Sequence, residues 1–193
     1  MPGYAKHPER RAAVLAGVLA LGLCGACGAP PEQARFRIEN VAATWSNGAV
    51  DVRIEQRVEL GEEARDALRH SVPLTITLEL ILRGATSRSR LHRVLRHYEI
   101  RYLPLSQRWQ VRDGDDGPTR TFPRLRHVLA DLGRLDLSFE TGALPGGGYE
   151  LLARSYLDQE RMPPPMRLPA LFSERWDHAS GWTAWPLDVE PEA

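Results

Sequence analysis

Few residues in this 193-residue chain have the types and spacing that chemistry requires. A transition-metal site needs His, Cys or carboxylates clustered at facing positions. His92 and His97 stand five apart, which on a strand sends them to opposite faces. His97 and Glu99 share a face and could donate two ligands. Arg93 and Arg101 stand beside them, however, and a solvated strand of mixed charge is the plainer reading. Asp113-Gly114-Asp115-Asp116-Gly117 has the acids that begin a calcium loop, but Arg124 stands where the twelfth position needs a bidentate Glu. It reads as a hairpin turn. A nucleophile elbow of the form G-x-S-x-G is absent from the sequence, and no serine motif ties to Asp177-His178. Gly146-Gly147-Gly148 precedes a strand, so it lacks the helix dipole that a phosphate loop uses. The sequence therefore assigns no catalytic residue, no metal ligand and no cofactor.

The two cysteines, Cys24 and Cys27, have the C-x-x-C spacing of a redox pair. That chemistry needs a folded thioredoxin-like context, and the surrounding sequence offers another one. Lys6, Arg10 and Arg11 precede the uncharged apolar run Ala12 to Leu23, and small residues and Pro30-Pro31 follow it. The run falls short of the ~20 residues that cross a bilayer as a helix. A basic arm, a short apolar core and small residues make a secretory signal peptide, expected over residues 1–29. Gly25 and Ala26 directly before Cys27 resemble a bacterial lipoprotein signal, which implies an acylated Cys27 and a membrane tether. Such signals prefer Leu three residues before the cysteine, where this chain has Cys24. Cleavage after Ala26 or Gly28 by the ordinary signal peptidase is the alternative, giving a soluble periplasmic protein.

Without Lys6, Glu9, Arg10 and Arg11, 22 basic residues face 24 acidic ones, a net of about −2. That balance does not suit a nucleic-acid binder. Leu82 to Arg112 nevertheless holds eight arginines and one acid, Glu99. If Arg93, Arg96 and Arg101 converge, they could meet an acidic partner or phospholipid headgroups. The plainer expectation is that the arginines pair internally with the acidic C-terminal third. Trp176, Trp182 and Trp185 sit in one short stretch after Pro163-Pro164-Pro165. They form the other half of a candidate interaction surface, unless they pack as a structural clasp.

The elements that would position these residues are mostly strands. Phe36, Ile38, Asn40 and Ala42 alternate with Arg37 and Glu39, and Asn47-Gly48 is a two-residue hairpin signal. Val50, Val52, Ile54, Val58 and Leu60 follow with the same period. Glu62 to His70 reads as a helix, stopped by Ser71-Val72-Pro73. Leu74, Ile76, Leu78, Leu80 and Leu82 form the cleanest alternation, with Thr77 and Glu79 expected to point away from the core. Strands follow over Leu91 to Leu103 and around Trp109 and Val111. Thr121 reads as the N-cap of a second helix running from Pro123 to Leu132, with Gly133 as its stop. Further strands carry Leu135, Leu137 and Phe139, then Tyr149, Leu151, Ala153 and Leu157. The prolines at 163–165 predict an extended backbone that leaves this last strand. Trp176 and Trp182 are then expected on a sheet face and Trp185 nearer the surface. The predicted fold is mainly β (α+β): an antiparallel β-sandwich, immunoglobulin-like in general architecture, with two short helices. One domain is expected over residues 30–187, with a short acidic tail at 188–193.

Several segments together resemble a proteobacterial family with no assigned reaction, domain of unknown function 4390. They are Ser71-Val72-Pro73-Leu74-Thr75, the strand Arg96-His97-Tyr98-Glu99-Ile100-Arg101-Tyr102, Thr121-Phe122-Pro123, Gly148-Tyr149-Glu150-Leu151 and Trp182-Thr183-Ala184-Trp185-Pro186. The resemblance covers roughly Arg35 to Leu187. It implies a gene neighbourhood, beside a membrane sensor kinase of the nitrogen-regulation type, and no chemistry. The expected function is that of a non-enzymatic envelope protein acting in the periplasm through another envelope protein. A module binding a small anionic or lipidic ligand between the sheets is the alternative.

Overall fold

The structure is a computed structural model and describes residues 36–190; the predicted signal segment, with Cys27, lies outside them. Among the described residues the elements are, in order, β1 (Phe36–Ser46), β2 (Ala49–Val58), α1 (Glu62–Arg69), β3 (Leu74–Gly84), β4 (Arg90–Leu103), β5 (Arg108–Asp113), β6 (Thr119–Phe122), α2 (Leu125–Leu132), β7 (Arg134–Glu140), β8 (Gly147–Leu157), α3 (Pro164–Leu171) and β9 (Thr183–Val189). They form two antiparallel sheets, one of order β1-β2-β7 and one of order β6-β5-β4-β3-β8-β9. The sheets pack face to face over one apolar core, as the alternation predicts.

Asn47 and Gly48 both adopt positive φ, 51° and 79°, which twists the turn to suit the β1–β2 hairpin. Val50, Val52, Ile54 and Val58 are buried between the sheets, and the acids and arginines between them face water. In β1 the alternation breaks. Ile38 pairs with Gln56 and Asn40 with Glu55, so Glu39 is an extra residue, a bulge. The bulge turns Asn40 and Ala42 outward and Val41 inward, so the expected inward places of Asn40 and Ala42 are corrected.

Helix α1 begins at Gly61 with Glu62 and Glu63 in its first turn, where the helix dipole favours acids. Its Ala64, Ala67 and Leu68 are buried, as expected. The second helix starts later than its sequence predicts. Thr121 belongs to β6, paired with Gln110, so it cannot cap; Arg124 stands at the N-cap without a side-chain bond. The β5 ladder holds this segment extended until Phe122. At the other end, Gln56 on β2 holds α2 by donating from its side-chain amide to the Leu132 carbonyl at 2.8 Å. Gly133 is αR and not left-handed. A Cβ there would sit 3.1 Å from the Gln56 carbonyl, so close approach, and not a left-handed cap, explains the glycine.

Beyond β8 the chain departs from expectation most. Pro164 and Pro165 open helix α3, because proline suits the first turn, whose N–H groups lack partners in any case. The extended segment predicted for 163–165 is therefore corrected to a third helix. The chain then returns as β9, paired antiparallel with β8 from Gly147↔Val189 to Ala153↔Thr183. Leu187 and Val189 are buried, which carries the fold two residues past the expected start of an acidic tail. Pro186, on the exposed edge of β9, lacks the N–H through which a further strand would add.

If β9 is part of the core, Leu187→Ala should lower unfolding stability by about 2–5 kcal/mol. Trp182→Ala should change it by about 1 kcal/mol or less, the scale of one cation–π contact. Urea unfolding of the two variants checks this; equal losses would contradict it.

Candidate functional site

The two sheets differ in what covers their outer faces. On the smaller sheet, Arg53–Asp136 and Arg57–Glu39 pairs stand in solvent. On the larger one, β3 is buried on both faces: Leu74 to Leu82 at even positions against the smaller sheet, and Thr75, Thr77, Glu79 and Ile81 on the other side. Thr77 and Glu79 do point away from the inter-sheet core, but they are 0% and 2% exposed and not solvated as expected. As the central strand, β3 lies beneath the long side chains of its neighbours β4 and β8.

Glu79 is the centre of this layer. Arg93 on β4 donates from Nε to Oε1 at 2.6 Å. Arg154 on β8 donates to Oε2 from Nε at 2.9 Å and from Nη2 at 2.7 Å. Burial pushes the Glu79 carboxyl up, but the hydrogen bonds and charges of Arg93 and Arg154 outweigh it and hold it below the usual carboxylate range. The Arg154 guanidinium also stacks on two rings, 4.7 Å from the centroid of Tyr156 and 4.8 Å from that of Trp182. Arg154 is thus fixed on several sides, with a third of its side chain still exposed.

One row along, Thr77 links two other groups. Its hydroxyl donates to Asp158 Oδ2 at 3.0 Å, so its oxygen accepts from His97 Nδ1–H at 2.9 Å. Asp158 also caps the 3₁₀ turn Gln159–Arg161 by accepting from the Glu160 and Arg161 backbone. Burial pushes the His97 imidazole down, and the charge of Arg161 adds to this; Asp158 and Asp115 oppose it more weakly. This row orients an imidazole but activates no nucleophile, because the Thr77 proton is committed to Asp158.

The candidate surface residues do not form one patch. Arg93 is held by Glu79, and Arg101 donates to Glu99 at 3.0 Å. Arg96 lies on the opposite face of β4, with its Nη2 3.5 Å from the Ser138 carbonyl at the rim between the sheets. The expected convergence of Arg93, Arg96 and Arg101 is therefore corrected by strand alternation, which separates odd from even positions. Arg93 and Arg101 take carboxylates nearer in sequence than the acidic C-terminal third, Glu79 and Glu99, whereas Arg83 of the same run pairs with Glu150 within it at 2.7 Å. The cleft beside Arg96 and His97, ≈ 380 Å³, draws only Arg96 of the three.

The tryptophans separate too. Trp176 and Trp185 are partly buried and pack against the core, whereas Trp182 is 42% exposed on Arg154. The expected order of Trp182 inside and Trp185 outside is thus reversed, because Trp185 on β9 points to the core face. His178 adds to the clasp that Trp176 makes: its Nε2 accepts from the Gly61 N–H at 3.2 Å, and its ring meets Phe36 edge-on at 6.0 Å. Burial pushes His178 down. Among the described residues no group of three His, Cys, Asp or Glu could hold a metal, and no helix is long and apolar enough to cross a membrane.

Sequence reasoning missed Glu79, Arg154, Tyr156 and Asp158. The legible signal was Glu79 itself, an acid in the middle of the most apolar strand, whose nearest basic partners arrive only through strand pairing at Leu95 and Arg154.

Removing Glu79 leaves two guanidiniums over an apolar sheet. Glu79→Ala should cost about 2–4 kcal/mol, moderated because both arginines reach water; Arg53→Ala on the solvated sheet should be nearly neutral. Acidification should weaken the fold in two stages. His97 and His178 are held neutral, so the unfolded chain binds protons first and stability falls as pH drops below about 6.5. Glu79 is held ionised, so its contribution is present above about pH 4.3 and lost below it. Unfolding midpoints measured from neutrality down to about pH 3 check this; a flat profile would contradict it.

The family model described as Domain of unknown function (DUF4390) matches residues 33–186. No curated protein matches the chain. The matched stretch takes in β1 through β8, the whole Glu79 layer and Trp182, so the site described above lies within it, and β9 runs three residues beyond. With well over half of its length covered, the chain belongs to the DUF4390 family.

Proposed function

We propose that this is an exported, non-enzymatic envelope protein that binds a protein partner through the outer face of its larger sheet. The observation that carries the reading is the Arg154 platform: a guanidinium stacked on Tyr156 and Trp182 and anchored by the buried Glu79. Arg, Trp and Tyr dominate interface hot spots. Their usual cost on binding is the ordering of flexible side chains, and here that ordering precedes the partner. Arg93 and Arg154 together carry one more charge than Glu79 neutralises, so a partner segment bearing a carboxylate beside an apolar side chain fits the platform. Export rests on the signal-like residues 1–29, and the tether on Cys27. A membrane sensor kinase pathway is the setting that the family resemblance implies. The scattered arginines and solvent-facing clefts give no comparable support to the small-ligand alternative.

A photo-crosslinking amino acid at position 182 should capture one envelope protein in living cells. The same group at position 57, on the solvated sheet, should not. Arg154→Ala should weaken the capture made through a crosslinker at neighbouring position 184. Equal crosslinking from positions 182 and 57 would reject the platform.

A further inference from the structure

Three large apolar side chains are far more exposed than the rest: Leu105 fully, Phe172 at 88% and Leu168 at 67%. They belong to two connections distant in sequence, and the topology brings both to one end of the sandwich. The β4–β5 turn leaves the larger sheet beyond the start of β3, because Leu74 pairs with Ile100, three residues before Leu103. Strand β8 ends there as well, Leu157 pairing with Ile76, and α3 follows it. Phe36 is at this end too, since it packs on His178, whose carbonyl accepts from the Leu157 N–H. The opposite end carries Asn47-Gly48, Thr86-Ser87-Arg88-Ser89 and Thr141-Gly142, which are small or polar, with Leu91, 43% exposed, as its large apolar side chain in solvent.

Helix α3 is apolar on two sides. Met166 and Ala170, four apart, face the core, whereas Leu168 and Phe172, also four apart, face solvent. Large apolar side chains grouped in solvent mark an interaction site. What covers the outer side is indicated by where the chain enters. Cys27 precedes Phe36 by nine positions, a reach of at most about 30 Å. An acyl group on Cys27 would tether the domain from this end of the sandwich.

We infer that Leu105, Leu168 and Phe172 form a membrane-seating edge that enters the interfacial layer of a phospholipid bilayer and fixes the domain's orientation on it. The inference rests on reading Cys27 as the acylated residue. Exposed Arg108 and Arg167 stand beside the apolar groups, but Arg175 pairs with Glu63 at 3.3 Å and the local charge is mixed. The attraction is chiefly apolar and changes little with salt. Such seating leaves the Glu79–Arg154 layer facing sideways along the membrane, where a membrane-bound partner is met.

The test uses the full chain expressed with its own signal and carrying Leu105→Cys, Phe172→Cys or, at the opposite end, Ser87→Cys. Each is labelled with an environment-sensitive nitrobenzoxadiazole dye. Mass spectrometry first reads whether Cys27 is acylated. In vesicles of phosphatidylethanolamine and phosphatidylglycerol, the dye at 105 and 172 should brighten several-fold and shift to the blue, and resist aqueous dithionite. The dye at 87 should do neither. An acylated protein whose dyes at 105 and 172 stay in water overturns the inference, as does equal shielding without vesicles, which would mark self-association or a protein contact. If Cys27 is not acylated, the tether reading fails alone, and Cys27→Ser protein with excess vesicles decides the edge: burial at 172 upholds it and continued exposure overturns it. The double variant Leu168→Asp and Phe172→Asp should keep its melting temperature and lose dye burial at 105.

Discussion

A carboxylate buried in the middle of a sheet constrains everything around it. Glu79 sits on β3, whose other face is a run of leucines and isoleucine against the smaller sheet. Moving one ionised carboxylate out of water costs several kcal/mol even after relaxation. The compensation here comes from both flanking strands at once, Arg93 from β4 and Arg154 from β8. That requirement ties three strands into one register, because a shift of one residue in β4 or β8 would send its arginine to the opposite face. It also explains why the outer face of this sheet needs no helix layer: the arginine stems, with Leu95, Leu152 and the Tyr156 and Trp182 rings, cover it. The smaller sheet buries no charge and is free to show alternating acids and arginines to water.

Function, on the proposed reading, follows from the same constraint. Arginine on a surface is mobile, and its contacts are worth little because ordering it costs entropy. Arg154 is ordered by the need to neutralise Glu79, so the platform with Tyr156 and Trp182 exists before any partner arrives. The neighbouring row, His97–Thr77–Asp158, extends the rigid region towards the 3₁₀ turn at Gln159–Arg161 and onward to the β5–β6 turn through the Arg161–Asp115 pair. A face of this kind discriminates by shape and charge.

The sequence made the sandwich legible because the signals that specify it are local. Leu74 to Leu80 alternates without a fault, Asn47-Gly48 demands a primed turn, and Ser71-Val72-Pro73 stops a helix. Errors came where a second strand decides. The bulge at Glu39 is invisible in β1 alone, since it exists only in the pairing with β2. Thr121 has the chemistry of a cap, but the ladder to Gln110 claims it first. Glu79 read as solvent-facing by alternation, and alternation was right about its direction. Direction does not set exposure on a central strand with large neighbours, and that information is spread over Arg93, Arg154 and Trp182, 89 positions from first to last.

The tail shows the same logic in reverse. Pro163-Pro164-Pro165 suggests an extended exit, because proline forbids the hydrogen bonds of a helix interior. Position matters more than type: at the start of α3 those bonds are not needed, and the fixed φ favours the helical turn. The short helix reverses the chain near the end of β8, His178 pins it to the α1 N-terminus, and the last residues pair along the open edge of β8. Three tryptophans in one stretch are then shared between two tasks. Trp176 and Trp185 complete the core, and Trp182, one residue before β9 begins, is left above Arg154. The exposure of that single ring is a consequence of register: a strand starting one residue earlier or later would bury it and uncover Trp185. The feature that closes the fold thereby also sets which tryptophan the surface presents.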